Sequence, residues 1–305
     1  MSTTPYQQKM DLLGLQEHNL FEIAYCKADF FTSVLTAKYG KESVLDERTF
    51  LLRSIKRMTN LMRSVYVLFK TTSDRASMMI LTRSVIDLNA TICFLFDYVK
   101  DADERALRLL LFYLDGVRTR QKISKEPLKK RDPRYISEEE YNATLEQMKT
   151  AKEADIKAVL DIETRIKNSP FYPMMHPSIV ENASWRFKKI DGKHSYSWID
   201  LYEIAAGDKN MAQFEQVFLS HYVHGVAISD FQFSSINDTN PVFALNICCS
   251  ILNHLDSIFK AWFPGEYVTL EEAHKKSLVT SLLDNMPPET LEAYRKTIKY
   301  RALSK

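Results

Sequence analysis

Apolar residues recur at helical spacing over long stretches of this chain, and little interrupts them: there are only 7 glycines and 10 prolines in 305 residues. A sandwich or barrel needs a turn roughly every 8–12 residues, and that punctuation is missing. The expectation is an all-α, multi-helix bundle. Leu12, Leu15, Cys26, Phe30 and Val34 trace one face of a first helix ending near Gly40. Phe50, Leu51, Ile55, Met58, Met62, Val65 and Leu68 do the same for a second, from about Asp46 to Lys70. A third begins near Ser73 and is apolar nearly all round, as a central helix is.

Later helix starts carry a short polar residue followed three positions on by Glu: Asp101 and Glu104, Ser137 and Glu140, Thr269 and Glu272. The helix opened by Ser137 is highly charged, with a thin stripe of Tyr141, Leu145, Met148, Ile156, Val159, Ile162 and Ile166. It is expected to pack on one side and project as an arm over 137–167. Between Ser169 and Ser197 the periodicity lapses at Pro170, Pro173 and Pro177, and Asp191-Gly192 marks a turn. This is the one long irregular connection, and such segments are often functional. Short helices then follow from Trp198 to Ala206 and from Asn210 to about His224, and Pro241 fits the first position of another. Pro287 and Pro288 precede a basic amphipathic tail. The chain is read as a single helical domain over 1–305. Its N-terminal half (1–168) and C-terminal half (198–305) are joined by the 169–197 connection.

Composition bounds the function classes. The net charge of +2 marks the chain globally for neither nucleic acid nor membrane. Cys26, Cys93, Cys248 and Cys249 form no Cys-x-x-Cys pair, so neither a disulfide framework nor a thiolate zinc site is indicated. No secretory leader is read at the N-terminus. The two most apolar segments, Met78 to Val99 and Val242 to Phe263, carry Arg83, Asp87, Asn89, Asn253, His254 and Asp256, so both are read as core helices. A cytoplasmic, non-membrane protein is expected. No phosphate loop, nucleophile elbow or His-Glu-x-x-His is present, so no cofactor and no metal is expected.

Three constellations carry possible chemistry. Arg83 and Asp87, four apart inside the most apolar helix, form either an internal ion pair or a phosphate-facing guanidinium with its partner. In Ser220-His221-Tyr222-Val223-His224-Gly225, two histidines share a helix face. They read as packed or surface side chains, as a metal pair lacking its other ligands, or as a general acid/base at His224. Arg118, Arg120, Lys122, Lys129, Lys130 and Arg131 belong to a dense basic run, either a solvated helix end or a phosphate-binding patch. Glu271 and His274 have the spacing of a di-iron motif but stand as a single copy.

Two stretches together resemble a bacterial family of helical proteins known only as a domain of unknown function. Leu81-Thr82-Arg83-Ser84-Val85-Ile86-Asp87 resembles its Leu-x-Arg-Ser-Leu-x-Glu helix, with Asp87 in place of Glu. Trp198, Ile204-Ala205, Phe214, Phe218 and Ser220-x-x-x-His224-Gly225 resemble its second pattern, with Phe214 and Phe218 where Tyr is usual. The likeness spans roughly 45 to 260 and implies an all-α fold. That family is in turn loosely similar to abortive-infection and HEPN-type proteins, whose ribonucleases use an Arg-x(4–6)-His motif at a dimer interface. This spacing is not found here, since seven residues separate Arg186 from His194. The family itself brings no established activity; a homodimer is expected, and the Arg83 and His224 pair, the basic segment 118–134 and the distant resemblance together suggest an RNA-directed toxin or phage-defence protein. As a metal-independent endoribonuclease, its catalytic set would be Arg83, Asp87, Ser220 and His224. The rival expectation is a non-enzymatic scaffold or regulator whose charged arm and C-terminal amphipathic helix bind another protein, and a third is a small-ligand sensor.

Overall fold

The computed structural model describes residues 17–40, 42–43, 45–72, 74–123, 132–223 and 241–284. Among them the fold is all-α, with ten α-helices and no strand. In chain order these are α1 (Glu17–Tyr39), α2 (Glu47–Thr71), α3 (Arg75–Ile92), α4 (Ala102–Ile123), α5 (Glu138–Lys167), α6 (Pro177–Glu181), α7 (Trp198–Ala206), α8 (Lys209–Val223), α9 (Pro241–Trp262) and α10 (Pro264–Asp284). A π-helical turn, Cys93–Tyr98, extends α3, and a 3₁₀ turn covers Tyr172–Met174.

Local chemistry explains most of the boundaries. Asp46 accepts from the Thr49 amide and Asp74 from the Ser77 amide, so each satisfies an orphan donor of the helix it opens. Ser137 and Glu140 form the reciprocal capping box expected of them. An unanticipated one, Ser197 with Asp200, opens α7, and Gly207 at φ 69° closes it in the left-handed conformation glycine tolerates. The start expected at Thr269 is not used. Proline needs no amide bond in a first turn, so α10 begins at Pro264 and runs through Thr269 unbroken.

Two compact units divide the chain, one of 1–35 with 246–305 and one of 36–245. In the larger, α3 packs against α2, α7 and α8, and α4 packs against α5. Its core includes Leu51, Ile55, Met58, Met62 and Val65 of α2 with Met78, Val85 and Ala90 of α3. The amphipathic spacing of α2 and the all-round apolarity of α3 account for that arrangement. In α5, Asp155, Ile162 and Ile166 are buried, while 138–154 contain no buried residue, so the charged helix projects as an arm. In the smaller unit Phe31 meets Phe259 and Tyr267 edge-on, at 5.5 and 5.7 Å between ring centroids.

Two helical stretches, Arg75–Tyr98 and Val242–Trp262, are long and apolar enough to cross a membrane. Of their apolar windows, 67% and 44% are buried within the protein, and core helices of soluble proteins meet the same length test.

The connection 169–197 is short of regular elements but well tied. The His176 amide donates to the Ile190 carbonyl at 2.8 Å. A tight hairpin brings Lys188 N to His194 O (2.8 Å) and Tyr196 N to Arg186 O (2.6 Å), with Phe187 opposite Ser195. Its turn passes through Gly192 at φ 71°, where an added Cβ would lie 2.7 Å from the Ser178 hydroxyl.

Candidate functional site

Arg83 and Asp87 sit one turn apart on α3, and the guanidinium Nε lies 3.3 Å from the Asp87 carboxylate. The same Asp87 oxygen accepts from the hydroxyl of Tyr202 on α7. Tyr202 is fully buried, and its ring lies under the Arg83 guanidinium, 4.8 Å from its centroid. Burial, and then the hydrogen bond to Asp87, holds this phenol well above the ordinary tyrosine range, so it is neutral and donates. Arg83 Nη1 donates to the main-chain carbonyl of Gln216 on α8 at 3.2 Å. The Ser220 hydroxyl, one turn further along, donates to that same carbonyl.

Three of the four expected catalytic residues are therefore brought together: Arg83 and Ser220 meet at one carbonyl oxygen of α8, and Asp87 joins them through Arg83. His224 lies outside the described residues. The sequence reading missed Tyr202 and Gln216, which complete the network. Tyr202 has a signal in principle, because a phenol buried on a short apolar helix needs a partner. Gln216 contributes only its backbone, which no side-chain pattern reports. Next to it, Glu215 is pushed above the usual carboxylate range by burial, an effect the charge of Arg83 partly offsets.

The Ser220 hydroxyl donates to a carbonyl of its own helix. One Asp87 oxygen takes two donors, while the side chain is 40% exposed. Arg83 is 15% exposed. The polar groups join α3, α7 and α8.

The basic run divides. Arg118 pairs with Glu163 at 2.8 Å and donates to the Val180 and Glu181 carbonyls, tying α4 to α5 and to the end of α6. Arg120 makes a two-pronged ion pair with Asp155, whose carboxylate is almost fully buried at the root of the arm. Lys122 is exposed. Lys129, Lys130 and Arg131 lie outside the described residues. Both described arginines thus already hold carboxylates within the fold.

A buried cation escaped the sequence reading altogether. Arg108 on α4 is 3% exposed and pairs with Glu104, four residues earlier, at 2.6 Å. It also donates to the carbonyls of Trp185 and Phe187, each at 2.8 Å, with the Phe187 ring 3.8 Å away. Its signal was the i,i+4 pair itself, hidden because Glu104 was read as a capping residue. Asp101 does accept from the Glu104 amide, but the Glu104 carboxylate reaches forward to Arg108.

In the smaller unit Lys27 lies 2.7 Å from Asp256 and 2.5 Å from Glu271, and the Tyr267 hydroxyl donates to Asp256. Burial works against its charge, but the two carboxylates outweigh it and raise its pKa. Lys27 and Asp256, with Ala24, Ala28, Leu252, Asn253 and Phe259, line a cavity of about 160 Å³. Among the described residues no group of three His, Cys, Asp or Glu converges as metal ligands would.

An all-α bundle with a polar brace across three of its helices is the class the fold defines. The family profile described as "Family of unknown function (DUF5677)" matches residues 49–239, and the chain belongs to that family. The matched stretch lies within the larger unit and contains the whole brace, the Arg108 clamp and the irregular connection. No curated protein and no solved structure matches the chain.

Proposed function

We propose that this chain is a non-catalytic helical interaction protein, in which the family-matched unit is a rigid frame and the charged arm is a recognition surface. The observation that supports this most directly is the mutual satisfaction of Arg83, Asp87, Tyr202, Ser220 and the Gln216 carbonyl. Polar groups that satisfy one another across three helices hold a frame together. The arm adds the second half of the argument. Residues 138–154 have no buried member, and Leu145, at 41% exposed, is an apolar side chain with the helix's charges around it. Apolar side chains set among charges are a usual composition for a helix that docks on another protein.

The competing reading is a metal-independent ribonuclease of the toxin or phage-defence type. There His224 takes the proton of a 2′-hydroxyl and Arg83 stabilises the charge developing on phosphorus. It requires Arg83 to leave the Gln216 carbonyl or to reach phosphate with its remaining N–H groups. One experiment separates the two. Purified protein is incubated with labelled total RNA in EDTA beside Arg83→Ala and His224→Ala, with the melting temperature of each recorded. The interaction reading expects no cleavage and a lowered melting temperature for Arg83→Ala. Cleavage that both variants lose at unchanged melting temperature refutes it. A photo-crosslinking residue at Leu145 is expected to trap one defined protein in cells, and the same residue at the exposed helix position Arg53 is not; equal yields would remove the arm from the proposal.

A further inference from the structure

The hairpin of the irregular connection has its own chemistry, independent of the brace and the arm. Backbone pairing of Lys188 with His194 and of Tyr196 with Arg186 makes alternate side chains point to opposite sides. Phe187, on one side, is buried against the Arg108 guanidinium. Arg186, Lys188 and Tyr196 are on the other. Lys189 and Lys193 flank the turn and are exposed, as is His194. Aromatic rings border these cations. Tyr98 from the π-helical turn is 49% exposed, and its hydroxyl is 3.1 Å from that of Tyr196. Trp198, at the start of α7, is 37% exposed. Lys188 lies 5.1 Å from the Tyr196 ring centroid, and Arg186 lies 5.2 Å from that of Trp198 and 5.6 Å from that of Trp185.

From this arrangement we infer that the face formed by Tyr98, Arg186, Lys188, Tyr196 and Trp198, with Lys189 and Lys193 at the hairpin turn beside it, binds single-stranded nucleic acid. Unpaired bases present π-faces that stack on tyrosine, tryptophan and guanidinium planes, while ammonium groups spaced along an edge take phosphates. A duplex keeps its bases stacked on one another and has no use for the exposed rings. The carboxylates nearby offset only part of the charge, and Arg186, Lys189 and Lys193 remain in excess. Asp97 is paired with Lys100, Asp200 caps Ser197 and meets Lys188 at 3.3 Å, and Asp191 accepts from the Lys193 amide. A membrane surface fits less well, because the hairpin tip is Asp191-Gly192 between two lysines, with the part-buried Ile190 its one apolar side chain. The site is also preformed. Arg108 holds the Trp185 and Phe187 carbonyls from beneath, so binding does not have to order the hairpin.

The test uses the full chain and a fluorescein-labelled 15-nucleotide uridine-rich RNA, its single-stranded DNA counterpart and a duplex of the same length, with anisotropy read from low to moderate salt. Binding of the single strands over the duplex is expected. Lys189→Glu with Lys193→Glu should weaken it on the order of tenfold and reduce the log–log salt slope by roughly 1.4, at about 0.7 for each phosphate no longer neutralised. Trp198→Ala should weaken it roughly 5- to 100-fold with little change in that slope. The same charge change on the arm, Lys149→Glu with Lys152→Glu, should leave binding intact. These side chains are exposed, and unchanged melting temperatures establish that each variant is folded. No binding by the wild type at low salt overturns the proposal. So does equal loss in the arm variant, equal affinity for the duplex, or binding to phosphatidylserine vesicles without binding to RNA.

Discussion

Replacing Arg108 with alanine removes the clamp beneath the irregular connection, and the structure sets the size of the effect. Arg108 is 3% exposed, and the residues whose carbonyls it holds, Trp185 and Phe187, are each 5% exposed. Water therefore cannot easily replace the guanidinium, and each orphaned carbonyl costs about 1–3 kcal/mol. Its side chain also fills space against the Phe94 and Phe187 rings, at 5.0 and 3.8 Å from their centroids. Glu104 loses its partner too, but at 32% side-chain exposure it can rehydrate, so its share is small. Together these give a loss of roughly 3–5 kcal/mol, the range found when one member of a buried ion pair is removed. For a unit of this length that lowers the melting temperature by roughly 6–20 °C. The assay is urea and thermal denaturation followed by circular dichroism, with hydrogen exchange over 169–197 as the local readout. The hairpin amides of Lys188 and Tyr196 should lose protection first. Arg108→Lys, which offers a single ammonium to three acceptors, should fall between wild type and alanine. A loss below about 1 kcal/mol, with the hairpin still protected, would show that the clamp is not what orders this segment.

Three further outcomes follow from other parts of the fold. Tyr202→Phe should cost about 1 kcal/mol, at the low end because the half-exposed Asp87 regains water, and a double-mutant cycle with Asp87→Asn should show the two effects to be non-additive. Arg120→Ala leaves the buried Asp155 carboxylate unpaired and should cost about 3 kcal/mol, part of which Arg120→Ala with Asp155→Ala recovers; simple additivity would mean the pair does not anchor the arm. In the smaller unit, hydrogen bonding from Lys27 depresses Glu271 to about 2. A depressed carboxylate stabilises the fold above its unfolded pKa and loses that contribution as pH falls from about 4.5 towards 2. The melting temperature should drop through that window, and Glu271→Gln should flatten the drop; an unaltered profile would assign the acid sensitivity elsewhere.

Local, nearest-neighbour chemistry was legible in the residues themselves. The periodicity of α2 and α3, the capping box of α5, the break at 169–197 and the arm with one apolar stripe all depend on residues within a turn or two of each other. Helical spacing reports them directly. The start of α10 was misplaced because two local signals competed there, and Pro264, which fits a first turn, took precedence over Thr269. Pairing of Arg83 with Asp87 was readable for the same reason, being a contact four residues apart on one helix. Which other groups would complete it was not. Tyr202 and the Gln216 carbonyl lie more than a hundred residues away along the chain and arrive only when α7 and α8 pack on α3. Similarly, the run around Arg118 and Arg120 has the composition of a phosphate-binding patch. The packing of α4 on α5 decides that these two guanidiniums meet Glu163 and Asp155. Composition records how many charges a segment carries. Only the tertiary fold decides which of them find an opposite charge inside the protein and which, like Lys189 and Lys193, still face water.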